Sequence, residues 1–211
     1  MSLPSESFGS ERVDGRTRLL DTAEELLDQH GIDGVSVRTV TKASGHRNAS
    51  AVSYHFGSRD QLIEAVLTRR QAAIEASRTE MLDALDARSD ATTLDYLAAA
   101  LLPVAEMLNS TEGRRYLRLL FQAAHHPDHH TRTALDYSPT IRRAAAGVMP
   151  LVEHLPAELR LHRLRLAMNL GLTALADQAR LIDAQPQPRP VLDRATFDAD
   201  LLAALRGALS G

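Results

Sequence analysis

Between Arg38 and Arg59 the chain gathers hydrogen-bonding side chains of small apolar area: Arg38, Thr39, Arg47, Asn48, Ser50, Ser53, Tyr54, His55 and Arg59. Guanidinium, hydroxyl, amide and imidazole groups bond phosphate oxygens and the edges of bases. In the middle of them, NASAVSYHF (48–56) offers only Ala49, Val52 and Phe56 as apolar residues on one helical face, with Ser50 and Tyr54 opposite. Small side chains let a helix backbone sink into a major groove about 12 Å wide. A helix this polar contributes little to a core, but it fits a groove.

Charge points the same way. Residues 36–70 carry six basic side chains against two acidic ones, on a chain whose net charge is −3. A basic window on an acidic chain suggests a surface for a polyanion.

Other chemistry finds little support. HHPDHH (125–130) holds ligand-type residues, but Pro127 breaks the helical spacing that would align His126 with His130, and histidines after a helix end more often complement its dipole. Serines and histidines form no triad spacing, and no phosphate loop, nucleophile elbow or zinc-protease pattern occurs. No catalytic residue, metal site or cofactor is therefore assigned. The absence of cysteine excludes disulfides and fits a reducing compartment.

The elements that position residues 38–59 follow from composition and punctuation. Strong helix formers dominate the 211 residues and β-branched runs are nearly absent, so the fold class is all-α. Residues 1–14 read as a disordered arm without the pattern of a secretory signal. Leu19, Leu20, Ala23, Leu26, Leu27 and His30 recur at helical spacing over about 16–30, with Gly31 as the C′ residue. Ser36 N-caps a short second helix that Gly45 stops, and Asn48 is placed to cap a third. Gly57 ends that helix, and Ser58 with Gln61 opens a long fourth, from 58 to about 87. Two short helices joined by a tight turn form a helix-turn-helix. Val37, Val40 and Thr41 of the second helix and Val52 and Phe56 of the third face inward. The domains expected are a helix-turn-helix unit over 15–57 and a helical unit over 58–211.

SVRTVTKASG (36–45) and VSYHFGSRDQL (52–62) resemble the helix-turn-helix of the TetR family of bacterial transcriptional regulators. The resemblance covers residues 16–70. It implies phosphate contacts from Arg38, Tyr54 and Arg59, His55 close to the DNA backbone, and base-edge or sugar contacts from Ser50 and Ser53. Thr39, Arg47 and Asn48 complete the DNA-binding set, although GHRN is one residue longer than the family turn. Thr41 stands where the family has a small alanine. Tyr54 and Arg59 are thus expected to be surface contacts, removable without loss of folding.

The remaining chain reads as helices. Phe121, His125, Tyr137, His162 and Met168 are candidates to line an effector cavity. A helix over 157–183, apolar nearly all round in its second half, and a last helix over 194–209 with Phe197, Leu201, Leu205 and Leu209 at spacing four are expected to pair with their mates in a homodimer. No stretch is long and apolar enough to span a bilayer, which suggests a cytoplasmic protein. The function expected is a regulator, released by an unidentified small molecule, that represses from a palindromic double-stranded operator. The alternatives are a helical enzyme or metal-binding protein, and a DNA-binding regulator that answers to a protein partner.

Overall fold

The structure, a computed structural model, describes residues 7–45, 50–126 and 138–209. These residues form α-helices and one 3-10 turn, with no strand among them, as the composition requires. They divide into two compact units, 1–70 and 71–211.

The first unit holds α1 (Ser7–His30), α2 (Val37–Ala43), α3 (Ser50–Phe56) and α4 (Arg59–Thr68). Helix α1 begins at Ser7, inside the stretch expected to be an arm to residue 14. No proline lies between Ser7 and Arg16 to stop it. His30 is exposed, so α1's inward face ends at Leu27. The punctuation acts as its residue types dictate. Gly31 takes a φ of 73°, and its N–H donates to the Leu27 carbonyl at 2.9 Å. Ser36 accepts from the Thr39 N–H at 3.1 Å, and Ser58 accepts from the Gln61 N–H at 3.1 Å. Leu19, Ala23, Leu27, Ile32, Val35, Val40, Val52, Phe56, Leu62, Ile63 and Val66 make the core. Thr41 is buried with them, and its hydroxyl donates to the Val37 carbonyl at 2.8 Å. That bond satisfies the group within its own helix, which lets Thr41 replace a smaller residue without burying an unpaired oxygen.

The long fourth helix of the sequence reading is two helices, α4 and α5 (Gln71–Asp86), and the division between units falls after Arg70 rather than after residue 57. Helix α4 packs on α1 and α3, and so belongs to the first unit. At its end the Thr68 hydroxyl donates to the Glu64 carbonyl at 2.9 Å, and the Arg69 N–H reaches back to the Val66 carbonyl. Arg69 pairs with Asp21 at 2.5 Å, and Arg70 pairs with the buried Glu24 at 2.9 Å. Neither proline nor glycine marks this break. It is held by arginines reaching side chains nearly fifty residues earlier.

In the second unit α5 is followed by α6 (Thr93–Ala105), the 3-10 turn Glu106–Asn109, α7 (Thr111–His125), α8 (Pro139–Leu151), α9 (Ala157–Asp183) and α10 (Arg194–Leu209). Ser138 caps α8 and Pro139 opens it, the split expected at that proline. Helix α6 packs on α5, α8 and α10, while α9 packs on α7 and α10. The stripe Phe197, Leu201, Leu205, Leu209 is buried within this unit. The exposed leucines of α9 are Leu159, Leu161, Leu166 and Leu170, in its first half rather than its second. Leu175, Ala176 and Ala179 of the second half are buried in the unit's own core.

A polar network crosses this core. Arg78 is buried, and its Nε–H donates to the Ala100 carbonyl at 2.9 Å while Nη1 reaches Glu75 at 3.2 Å. Ser138 and Thr140 donate their hydroxyls to the two Glu75 oxygens at 2.6 and 2.8 Å. Burial pushes the Glu75 carboxyl up, but the two hydroxyls and the Arg78 guanidinium outweigh it and hold it below the ordinary glutamate value. A carboxylate whose folded value is depressed contributes stability above its unfolded pKa, about 4.3. That contribution is lost as pH falls through the lower folded value. Glu75→Gln should therefore melt lower at pH 7 and lose less on acidification from pH 5 to 3 than the wild type does. Calorimetric scans across that range check this, and parallel acid profiles for the two proteins would contradict it.

Candidate nucleic-acid interface

The inner and outer faces of α3 divide as the sequence spacing demands. Val52 has no exposure and Phe56 is buried, while Ser53 is exposed and Tyr54 is 65% exposed. His55 lies between, half-buried, its ring edge-on to Tyr54 at 5.0 Å and tilted against Phe56 at 6.2 Å. Tyr54 thus stands out from the unit with one side braced by an imidazole. Ser50 opens the helix, although its side chain lies outside the described residues, as do Arg47 and Asn48 entirely.

On α2, Arg38, Thr39 and Lys42 are exposed. The Thr39 hydroxyl lies 2.8 Å from that of Ser36, which ties it into the cap of its own helix. Of the expected DNA-binding set, the structure gives Arg38, Thr39, Ser53 and Tyr54 exposed positions on the two short helices.

Arg59 departs from expectation. Its Nε–H donates to the Val35 carbonyl at 2.7 Å and Nη2 donates to the Ile32 carbonyl. Nη1 lies 3.6 Å from the Asp60 carboxylate. The expected surface contact is a side chain folded onto the loop between α1 and α2. Arg69 and Arg70, counted above as part of the basic window, also pair within the unit. Three of the window's six cations are therefore engaged internally.

Arg16 escaped the sequence reading. Its guanidinium lies 5.0 Å from the centroid of the Phe56 ring, a cation–π contact that braces the last residue of α3. Forty residues separate the two, so no local pattern could have found it.

The four candidate effector residues among the described ones do not converge. Phe121 is half-buried on α7, stacked on His125 at 4.4 Å, with the Arg180 guanidinium 5.2 Å from its centroid. His125 is exposed and its Nδ1 lies 2.9 Å from the Phe121 carbonyl oxygen. His162 is exposed on α9, and Tyr137 lies outside the described residues. Of the four described candidates Met168 lines an apolar hollow, with Tyr96, Leu97, Ala100, Ile141 and Leu164 among its other walls. The hollow's cavity volume is about 10 Å³, far below the roughly 300 Å³ at the lower end of ligand sites. Among the described residues no group of three or more His, Asp or Glu is placed to hold a metal ion, and the last four residues of HHPDHH lie outside them. No helix among them is long and apolar enough to cross a membrane.

Residues 19–66, which contain this interface, match the family described as bacterial regulatory proteins, tetR family. The N-terminal unit carries a TetR-family helix-turn-helix domain. A stretch of 69 residues is 33% identical to the HTH-type transcriptional repressor AcnR of Corynebacterium efficiens. That match spans 33% of this chain and about a third of the relative's length, 36%. A TetR-family transcriptional regulator from Streptomyces coelicolor superposes with a TM-score of 0.53 at 20% identity, over 93% of this chain and 95% of that one. At that identity the likeness concerns the fold. It shows that the helical remainder beyond residue 66 shares that protein's fold.

The division of α3 between buried Val52 and exposed Tyr54 has a direct consequence for stability. Val52→Ala should cost about 1–3 kcal/mol, the range for removing buried methyl groups. Tyr54→Ala should stay within about 0.5 kcal/mol, as for a surface position. Thermal or urea unfolding of the two variants measures the contrast, and comparable losses would mean that Tyr54 is packed.

Proposed function

We propose that this chain is a TetR-family transcriptional repressor that binds a palindromic operator as a homodimer and is released by a small molecule. The observation that carries the DNA-binding part is α3's exposed outer face, Ser53 and Tyr54, beside the exposed cations Arg38 and Lys42 of α2. Tyr54 and Arg38 suit phosphate oxygens, and Ser53 suits a base edge or sugar. The name of the Corynebacterium relative, a transcriptional repressor, supports the sign of regulation.

One helix of seven residues reads few base pairs. Two copies about 34–36 Å apart read successive major grooves, so the reading needs a dimer. Leu159, Leu166 and Leu170 supply a candidate seam: they recur at seven and four residues along α9, on a face turned away from Leu164, Ala167 and Gly171 in the core. Apolar side chains at that spacing favour helix pairing across a two-fold axis. The outer face of α10 presents Ala203, Ala204 and Gly207, small enough for a second helix to approach. An effector held in the 71–211 unit, with a typical coupling of about 1–3 kcal/mol, would weaken operator binding by about 5- to 150-fold.

Two measurements test this. Binding to a duplex from the region beside the coding sequence, titrated with salt, should fall steeply and prefer an inverted repeat over unrelated DNA. Binding that ignores sequence, or does not occur, would remove the regulator reading and favour a protein for which residues 36–59 are scaffold. Leu166→Asp with Leu170→Asp should shift the chain to monomer in sedimentation and weaken operator binding together. A dimer that survives both charges would place the seam elsewhere.

A further inference from the structure

Arg59 is the first residue of α4 and follows α3 by only Gly57 and Ser58. A cation is poorly placed there, because the first turn of a helix carries the positive end of its dipole. Something else must hold the side chain, and the loop between α1 and α2 does. Ile32 and Val35 bury their side chains in the core, which fixes the positions of their carbonyl groups. Both carbonyls lie beyond the end of α1, where no helical amide can reach them. Arg59 satisfies the two at once across 27 and 24 residues of sequence, through Nη2 and Nε. Its third nitrogen faces Asp60. The planar fork is thus committed on all three nitrogens, with the side chain only 31% exposed.

We propose that Arg59 is a positioning residue and not a phosphate contact: by pinning the start of α4 to the Ile32–Val35 carbonyls it fixes the exit of α3, and so the angle at which Ser53 and Tyr54 meet DNA. The proposal rests on the DNA-binding reading above. Helix α3 is then held at three places. Val52 anchors its inner face, Arg16 lies over Phe56 at its last turn, and Arg59 locks the connection just beyond it. A lysine cannot take Arg59's place, since one ammonium on a flexible stem does not reproduce a rigid fork spanning two carbonyls. At a phosphate a lysine would serve well.

The experiment compares Arg59→Lys, Arg59→Ala and Arg38→Ala with the wild type, using melting temperature and salt-titrated binding to the promoter duplex beside the coding sequence. A lost phosphate contact lowers the slope of log K against log salt by about 0.9, which is the result expected for Arg38→Ala with little change in melting. For Arg59 the expectation is different. Both variants should melt several degrees lower and bind about tenfold more weakly, as for one misaligned base contact, with the wild-type salt slope retained. Lysine should fail to rescue either property. The proposal is overturned if Arg59→Ala lowers the slope like Arg38→Ala, or if Arg59→Lys restores both affinity and melting temperature. Should Arg59→Ala be too unstable to assay, Arg59→Lys decides on the same two readouts. A wild-type chain that binds no duplex would instead sink the regulator reading, and the melting temperatures would still show whether the clamp is real.

Discussion

The N-terminal unit depends on how α3 is held, because a seven-residue helix makes too few internal hydrogen bonds to be stable in water and takes its order from tertiary contacts. Those contacts are confined to one edge. Val52 and Phe56 enter a core whose other members come from α1, α2, α4 and the loop at Ile32 and Val35. Among the described side chains of the helix, Ser53 and Tyr54 stay exposed and His55 is half-buried. That asymmetry makes the helix both dependent on its neighbours and available to a ligand, and each property follows from the same shortage of apolar residues.

Arginine serves two different purposes in this protein. Arg38 stands on the surface, whereas Arg59, Arg69 and Arg70 turn back to carbonyls and carboxylates of the same unit. Among the described residues, the cations of 36–70 that stand apart from these internal bonds are Arg38 and Lys42, both on α2. In the second unit Asp183 gathers Arg114 and Arg118 at 2.6 Å each, which ties α7 to the end of α9. Long-range ion pairs of this kind join elements that the apolar pattern alone leaves adjacent but unregistered.

Much of this was legible in the sequence, and the reasons are local. Gly31, Ser36, Gly57 and Ser58 act within a few residues of themselves, so their roles can be read from a short window. Val52 and Phe56 were assigned inward by spacing alone, and Tyr54 outward. What could not be read is long-range. The fold of Arg59 onto Ile32 and Val35, the Arg16–Phe56 contact and the break after Thr68 all depend on partners 24 to 48 residues away. The stripe on α10 is a related case: a leucine every fourth residue marks an apolar face without saying which surface covers it. Here that surface is the chain's own core.

Ser138 shows how narrow such dependence becomes. Its single oxygen accepts the Ile141 N–H at 3.1 Å while its proton goes to Glu75 at 2.6 Å, so one hydroxyl both starts a helix and neutralises a neighbour's lone pair. At most helix starts serine, aspartate and asparagine are interchangeable. At this one aspartate would set two carboxylates against each other, and asparagine would have to turn its carbonyl to the helix and its amide to Glu75 in a space shaped for a smaller group. The alphabet permitted at position 138 shrinks to residues carrying a small alcohol, a restriction imposed by the companion and not by the cap.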